Sequence, residues 1–466
     1  MQQPPYAVAV LENSRSFEDE LDEIALLTQP GREADLHMFL DLLHPADVAE
    51  LLARIDNDKA MIILGELGHE RAAEAISELE HEHQERLFPL LEPKELGLIV
   101  GELDTDDATD LIQEMDDETR RRVLATLPIE DRREVQQLLS YDPESAGGIM
   151  QIELAAVPIA ATVGSALDLV RDKAEEVDIM SVFVVDDLHR YAGHLALQDL
   201  VFAKPNTRVE QVMEPKVVEV TPDVDQEEVA RLFDRYSLVE LGVVDDEGIL
   251  IGRITADDVH EVLVEEAEED VLKLAGTAAE PEVIYSDRIF GIVGQRLPWL
   301  GSTFLAGLLA TWILNEASII FHTAIVLLTF VPVITGMSGN VGTQSAMIMI
   351  QGMATGHISK ENLRWAISRD LAVAAIMAVV CSTAVSGIVW LWQGNPALGG
   401  CVGIALCCSM VTASALGSTE PAILKRFGVD PAIAAGPLIT SINDISGVLI
   451  YTAVSVAFLD FVVAAQ

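Results

Sequence analysis

The stretch PAIAAGPLITSINDISGVLIYTAVSVAFLDF, residues 431–461, decides how the chain is read. At about 1.5 Å of rise per helical residue it is long enough to cross a bilayer. One carboxylate, Asp444, stands near its middle. An ionised group at that depth costs roughly 2.5–3.5 kcal/mol on insertion scales, so it has to face protein, water or an ion. Gly436, Thr440 and Asp444 recur every four residues and therefore share one helix face. A small, polar face of this kind suits a pore lining. The alternative is a protonated carboxyl bonded to a neighbouring helix.

Upstream of that stretch the chain is apolar from Arg288 onward. Hydropathy predicts an interfacial helix over 287–296 and five spans near 298–315, 321–352, 364–393, 398–424 and 431–463. Lys360, Arg364 and Arg369 flank the connection between the second and third spans, and Lys425 and Arg426 the one between the fourth and fifth. The other connections and the C-terminal tail carry no base. With a cytoplasmic N-terminus both basic connections fall inside, as the positive-inside rule requires, and the C-terminus falls outside.

The second span contains PVITGMSGNVGTQS, residues 332–345. Its proline and glycines loosen a helix or let backbones approach closely. Gly339, Asn340 and Gln344 are the candidate pore residues here, with close helix packing as the alternative. One carboxylate per chain is a poor site for a divalent cation. A two-fold dimer with its axis along the pore would bring two copies of Asp444 together and balance a charge of +2. Mg2+ dehydrates reluctantly and is usually held through one or two carboxylates plus waters, so a wide polar pore suits it. Soft metals would want clusters of Cys, Met or His. The four cysteines, Cys381, Cys401, Cys407 and Cys408, all lie in apolar segments, which argues against a disulfide framework.

The formal charge of −46 is uneven. Residues 281–466 hold 9 acids and 7 bases, and the first 280 residues hold 66 acids against 22 bases. So acidic a soluble part excludes nucleic acid as a partner, because that partner needs a positive surface. It fits a surface that binds divalent cations, or the solvated surface of a halophile. MQQPPYAVAV at the start lacks the basic region of a signal peptide, so the soluble part is expected in the cytoplasm.

Residues 1–34 read as poorly ordered, and 35–149 as an acidic helical domain. Helix openings recur at residues 44–47, 92–95, 104–107 and 128–131, each placing Pro or Asp at an N-terminus. Short helices with repeated openings suggest a superhelical domain, or else an ordinary bundle. From 150 the composition turns to short β-rich runs. VVDD at 184–187 returns at 243–246, and GHLALQD at 193–199 returns as GRITADD at 252–258. Two strand–turn–strand–helix copies, 150–205 and 206–262, resemble a tandem CBS pair. In that family the Thr and Asp of GxxTxxD hold an adenosine ribose and phosphate. Thr255 and Asp258 match this motif, while the first copy has Ala196 in place of the Thr. An adenine nucleotide such as ATP is therefore a candidate ligand. Residues 256–280 carry an acid-rich helix towards the membrane domain, 287–466.

Taken in order, an acidic helical domain, YDPESAGGIM (141–150), the CBS pair, EAEEDVLKLAG (266–276), PVITGMSGNVGTQS (332–345) and GVDPAIAAGPLITSINDISGVLIY (428–451) resemble the MgtE family of magnesium channels. The resemblance runs over nearly the whole chain past residue 35. It implies a homodimer in a plasma (inner) membrane, closed when cytoplasmic Mg2+ bridges the helical domain, the CBS pair and a connecting plug helix. It maps the pore acid to Asp444, with Thr440 and Gly436 on the turns before it. Some members have Asn where Gly436 stands. It maps regulatory ion ligands to Glu74, Asp106, Asp110, Asp225, Asp258, Glu261, Glu266, Glu269 and Asp270, and a further acid to Asp430. Ser237 replaces an acid found in some members, and Glu420 stands where the family has an apolar residue.

The expected fold is therefore multidomain: an all-α superhelical domain, an α/β CBS pair and a five-span α-helical membrane domain. The expected function is a Mg2+-selective channel with no enzymatic step. The alternatives are a secondary transporter coupling a divalent cation to H+ or Na+, and a membrane-anchored sensor that transports nothing.

Overall fold

The computed structural model describes residue 24 and residues 26–173, 179–274, 289–317, 325–359, 362–427 and 436–464. The chain forms two compact units, Met1–Glu265 and Glu266–Gln466.

Among the described residues the first unit carries a run of short helices: α1 Glu33–Leu40, α2 Pro45–Arg54, α3 Asn57–Leu67, α4 His69–Ser77, α5 His81–Leu87, α6 Pro93–Val100, α7 Thr105–Gln113, α8 Asp117–Leu124 and α9 Ile129–Leu138. The openings expected from Pro and Asp are present. His44 caps α2 through Ala46 N–H, and Glu92 with Glu95 forms a reciprocal capping box on α6. α2 turns an apolar stripe inward with Val48, Ala49, Leu51 and Leu52. The helix ends are closed by one recurring device. Arg71 donates to the carbonyl of Leu40 at the end of α1 (2.7 Å) and to that of Leu43 beyond it (2.6 Å). Arg120 does the same to Ile112 (3.0 Å) and Gln113 (2.6 Å) on α7, and Arg132 to Ala125 and Leu127 (both 2.9 Å) after α8. Guanidinium groups thus satisfy carbonyls that a helix C-terminus leaves open.

The turn Tyr141–Met150 leads into the α/β part. Ala146 N–H donates to Val224 O (2.6 Å) and Gly147 N–H to Pro222 O (2.9 Å). A Cβ at Gly148 would lie 2.4 Å from the Pro143 carbonyl oxygen, so only glycine lets this turn close. The elements that follow are β1 Ala156–Pro158, α10 Val163–Lys173, β2 Ser181–Val185, β3 Tyr191–Ala196, α11 Leu197–Phe202, β4 Glu214–Pro215, α12 Gln226–Tyr236, β5 Glu240–Val244, β6 Leu250–Thr255 and α13 Ala256–Leu274. β1, β2 and β3 of the first copy form a sheet with β4 in the order β1-β2-β3-β4, and β5 and β6 of the second form an antiparallel pair. The repeat extends to a structural irregularity: the β2–β3 register shifts at Val184/Val185 and the β5–β6 register at Val243/Val244. Phe183, Tyr191 and Val244 form one buried cluster that joins the copies.

Among the described residues the second unit holds five helices long and apolar enough to cross a membrane: α14 Ile289–Glu316, α15 Val331–Ala354 with a 3-10 turn Ile325–Phe330 before it, α16 Leu363–Gln393, α17 Pro396–Arg426 and α18 Pro437–Ala464. The interfacial helix expected over 287–296 is not separate: residues 289–316 are one helix that runs through Pro298. Proline is tolerated inside membrane helices because neighbouring groups satisfy the freed carbonyl. α17 is the hub and packs against α15, α16 and α18, while α14 packs on α18. Small residues let α17 take that place. A Cβ at Gly403 would lie 2.8 Å from the Ser386 side chain of α16, and one at Gly417 would lie 2.2 Å from the Gly342 carbonyl of α15. α14 exposes Phe290, Leu300, Phe304 and Trp312.

Candidate ion-binding and pore sites

Within the first unit α7 and the start of α13 confront each other with acids. Asp106 and Asp110 stand four residues apart on α7, with Asp107 between them. Asp257, Glu261 and Glu265 form the same spacing on α13, beside Asp258. Asp106 is buried, and its Oδ1 has no hydrogen-bond partner. Burial first, then the charges of Asp258 and Asp107, holds its carboxyl well above the usual carboxylate range. The surrounding protein pushes Asp107 up to about 7, and Asp258, Asp104, Glu261 and Asp257 add to the shift. Asp110 rises to about 8, by burial and by Asp107, Glu261, Glu265 and Glu114. Both side chains keep exposed surface, so water still reaches them. Burial also raises Asp258, offset in part by hydrogen bonds from Thr255, and it raises Glu261 together with Asp258 and Glu78.

Hydrogen bonds and one buried ion pair hold the two helices in place. Thr105 Oγ1 donates to Glu153 (2.6 Å) and accepts from Ile152 N–H (2.9 Å). Next in the chain, Gln151 exchanges backbone hydrogen bonds with Arg253 of β6 (2.7 and 2.9 Å). β6 runs directly into α13, so α7 is tied to α13 through residues 151–153. The buried Arg253–Glu240 ion pair, to which Ser181 also donates, anchors β6 to β5 and β2.

Among the described residues no three His, Cys, Asp or Glu side chains converge as a ready-made metal cage. The acids face one another across a gap, and Asp106 leaves a buried oxygen unused. That arrangement fits a cation that keeps part of its water shell.

The remaining expected ligands are spread more widely. Glu74 is exposed on α4, and Glu78, just beyond the end of that helix, is the acid whose charge reaches Glu261. Asp225 is exposed and caps α12 through Glu227 N–H (2.9 Å). Ser237 ends α12 in the left-handed conformation, φ 51°. Glu266, Glu269 and Asp270 are half-buried on α13, and Glu269 pairs with Lys273 (2.6 Å). Asp430 lies outside the described residues. Thr255 donates its N–H (3.1 Å) and its hydroxyl to Asp258, so the expected nucleotide pair is bonded to itself beside the acid cluster.

In the membrane unit α15 and α18 run antiparallel along a close seam. Asn443, Gly447 and Tyr451 recur every four residues on α18. Asn443 lies against Gly342, and Gly447 against Ser338. Tyr451 donates to Leu327 O (2.6 Å). Thr440 and Asp444, half-buried on α18, and Gly436, half-buried just before it, make up the expected stripe. On α15, Asn340 and Gln344 are exposed and Gly339 is half-buried. In one chain, then, polar groups of both motifs stand open on spanning helices. Sequence reading passed over Asp107, Glu78 and Glu114 in the soluble unit, and Asp370 and Asn443 in the membrane unit. The 257/261/265 spacing was visible in the sequence, but nothing in it names Glu78 or Glu114 as their neighbours.

A family model described as a divalent cation transporter matches residues 331–454. Models of the MgtE intracellular N domain and of the CBS domain match residues 43–144 and 209–265. The magnesium transporter MgtE of Thermus thermophilus is 36% identical over 441 residues, 93% of this chain and 97% of that protein. The MgtE of Bacillus subtilis is 30% identical over 95% of this chain and 98% of that protein. A crystal structure of the soluble part of a magnesium transporter, 24% identical, covers 54% of this chain and 100% of its own at a TM-score of 0.51. A soluble helical and CBS region followed by five spanning helices, with kinship of this extent at both ends, makes the chain a multi-pass membrane protein belonging to the MgtE family.

Proposed function

We propose that the protein is a homodimeric, Mg2+-selective channel whose pore closes when cytoplasmic Mg2+ binds between the helical domain, the CBS pair and α13. The opposed acids of α7 and α13 carry this reading. Asp106, Asp107, Asp110, Asp258 and Glu261 would share Mg2+ there, through waters as much as by direct bonds. Without a cation their charges repel and the contact loosens, and with one they are drawn together. Moving a gate from mostly open to mostly closed takes about 5.5 kcal/mol of differential binding, within reach of several ions per dimer.

In the membrane unit, the half-buried Asp444 stripe would face its copy across the dimer axis. Two carboxylates then balance one hydrated Mg2+. The soluble unit and the N-terminus are cytoplasmic in this arrangement, and the C-terminus is outside. The test is Mg2+ uptake into liposomes at varied internal Mg2+. Wild type should conduct at low internal Mg2+ and shut at high, and Asp444→Ala should not conduct as a folded dimer. Uptake that survives Asp444→Ala overturns the reading. Currents that reverse with a proton or sodium gradient would identify an exchanger instead. An adenine nucleotide at the CBS pair would have to draw Asp258 away from Thr255, and calorimetric titration with ATP of wild type beside Thr255→Val tests that contact.

A further inference from the structure

A second carboxylate inside a spanning helix is built into the scaffold. Asp370 lies about two turns inside α16 and is half-buried. Its Oδ2 accepts from Ser414 Oγ of α17 (2.9 Å), and Ser414 Oγ in turn accepts from Ser345 Oγ of α15 (3.0 Å). Both serines are buried, at 0% and 3% exposure. The adjacent Arg369 lies over the Trp365 ring, 5.4 Å from its centroid, and both of those residues are exposed.

The direction of the chain matters. An acceptor at Asp370 lets each serine donate one way, from α15 through α17 to α16. Hydrogen bonds aligned in a row away from bulk water strengthen one another. Ser345 directly follows Gln344, the last residue of the polar Asn340–Gln344 stripe. One turn away on the same helix, Gly342 is pressed between α17 and α18. The hydroxyl chain is thus a second attachment of α15 to the hub, and it opposes rotation of the stripe about the helix axis.

The geometry points to Asp370 as a positioning residue for the pore. Through Ser414 and Ser345 it sets how α15 presents Asn340 and Gln344 to a hydrated divalent cation. This rests on the channel reading above. Asp370 acts through the serines and does not touch the ion. Asparagine keeps an accepting oxygen at the same place and leucine does not, so the two substitutions separate geometry from charge.

The test uses the full-length dimer in liposomes, with Mg2+ and Ca2+ uptake measured for wild type, Asp370→Asn, Asp370→Leu, Ser414→Ala and Asp444→Ala. Asp370→Leu and Ser414→Ala should raise the external Mg2+ needed for half-maximal uptake about tenfold, the fold-change that goes with losing one intramolecular hydrogen bond. They should also admit Ca2+, with helix content and dimer unchanged. Asp370→Asn should restore the wild-type half-saturation. If Asp370→Leu does not fold, Ser414→Ala decides, since it breaks the chain without removing the carboxylate. Wild-type half-saturation and Ca2+ exclusion in both variants overturn the inference. Equal impairment of Asp370→Asn and Asp370→Leu also overturns it, because the charge itself would then be in use. Uptake that survives Asp444→Ala would sink the channel reading itself, and this inference with it. An inactive Asp444→Ala beside a wild-type-like Asp370→Leu and Ser414→Ala would sink only the inference.

Discussion

Asn443 packs against the backbone of Gly342: a Cβ there would start 1.9 Å from the Asn443 amide nitrogen. Asn443 is fully buried, and neither end of its amide has a partner among the described residues. Gly342 is also where Gly417 brings α17 in, so three spanning helices meet at one glycine. Gly342→Ala should therefore destabilise the membrane unit by about 1–3 kcal/mol, as overpacking does. Thermal unfolding in detergent checks the loss. Adding Asn443→Ala should recover part of it, because that substitution removes the nearest clashing atoms and breaks no hydrogen bond of the amide. Simple additivity in the double-mutant cycle would show that the two residues do not meet.

The acids between α7 and α13 make stability depend on pH. Asp107 and Asp110 rise from an ordinary value of 3.8 to about 7 and about 8 in the folded chain, so the folded state binds more protons. Their contribution is fully present below the ordinary value and is lost as pH rises through 7 to 8. In chelator, the melting temperature of wild type should fall over that window relative to Asp107→Asn/Asp110→Asn. Millimolar Mg2+ should remove most of the difference. Parallel melting curves of the two proteins across pH would show that the carboxyls do not repel as placed.

Thr105 ties α7 to the segment that leads into the α/β part. Thr105→Val keeps the shape but loses both hydroxyl contacts and leaves Glu153 with a weaker partner, at a cost of about 1–3 kcal/mol. A looser α7 should require more internal Mg2+ for closure. The readout is the internal Mg2+ concentration at half-inhibition of uptake, which should rise by roughly tenfold for each 1.4 kcal/mol lost from the closed state.

Glu266, Glu269 and Asp270 continue the acid series along α13. Neutralising all three with Gln and Asn should leave uptake running at high internal Mg2+. Lys273 loses its Glu269 partner in that variant, so Lys273→Gln serves as the control for the ion pair alone. Unchanged inhibition in the triple variant would remove α13 from the gate.

Much of the architecture could be read before any coordinates. Apolar length predicts five spans, and five spanning-capable helices are present among the described residues. The 59-residue recurrence of VVDD predicts two copies of one unit, and the matching register shifts at Val184 and Val243 carry it into the backbone. Helix openings at His44, Glu92 and Asp104 were legible because capping involves neighbours in the chain. One local reading failed. Hydropathy predicts an interfacial helix over 287–296 apart from a first span at 298–315, yet residues 289–316 are one helix that continues through Pro298.

What the sequence determined by itself was periodic and local: which segments are helical, which faces are polar, where the chain repeats and where charge accumulates. Helix and strand geometry act over a few residues, so these features survive without knowledge of packing. Tertiary structure alone decided which of those faces meet. It set the charge of Glu78 against Glu261, gave Asp225 a helix-capping bond, and joined Asp370 to Ser414 across 44 residues of chain. Such pairings depend on how small residues such as Gly342, Gly417 and Ser414 let backbones approach, a property of surfaces in contact that no single stretch carries.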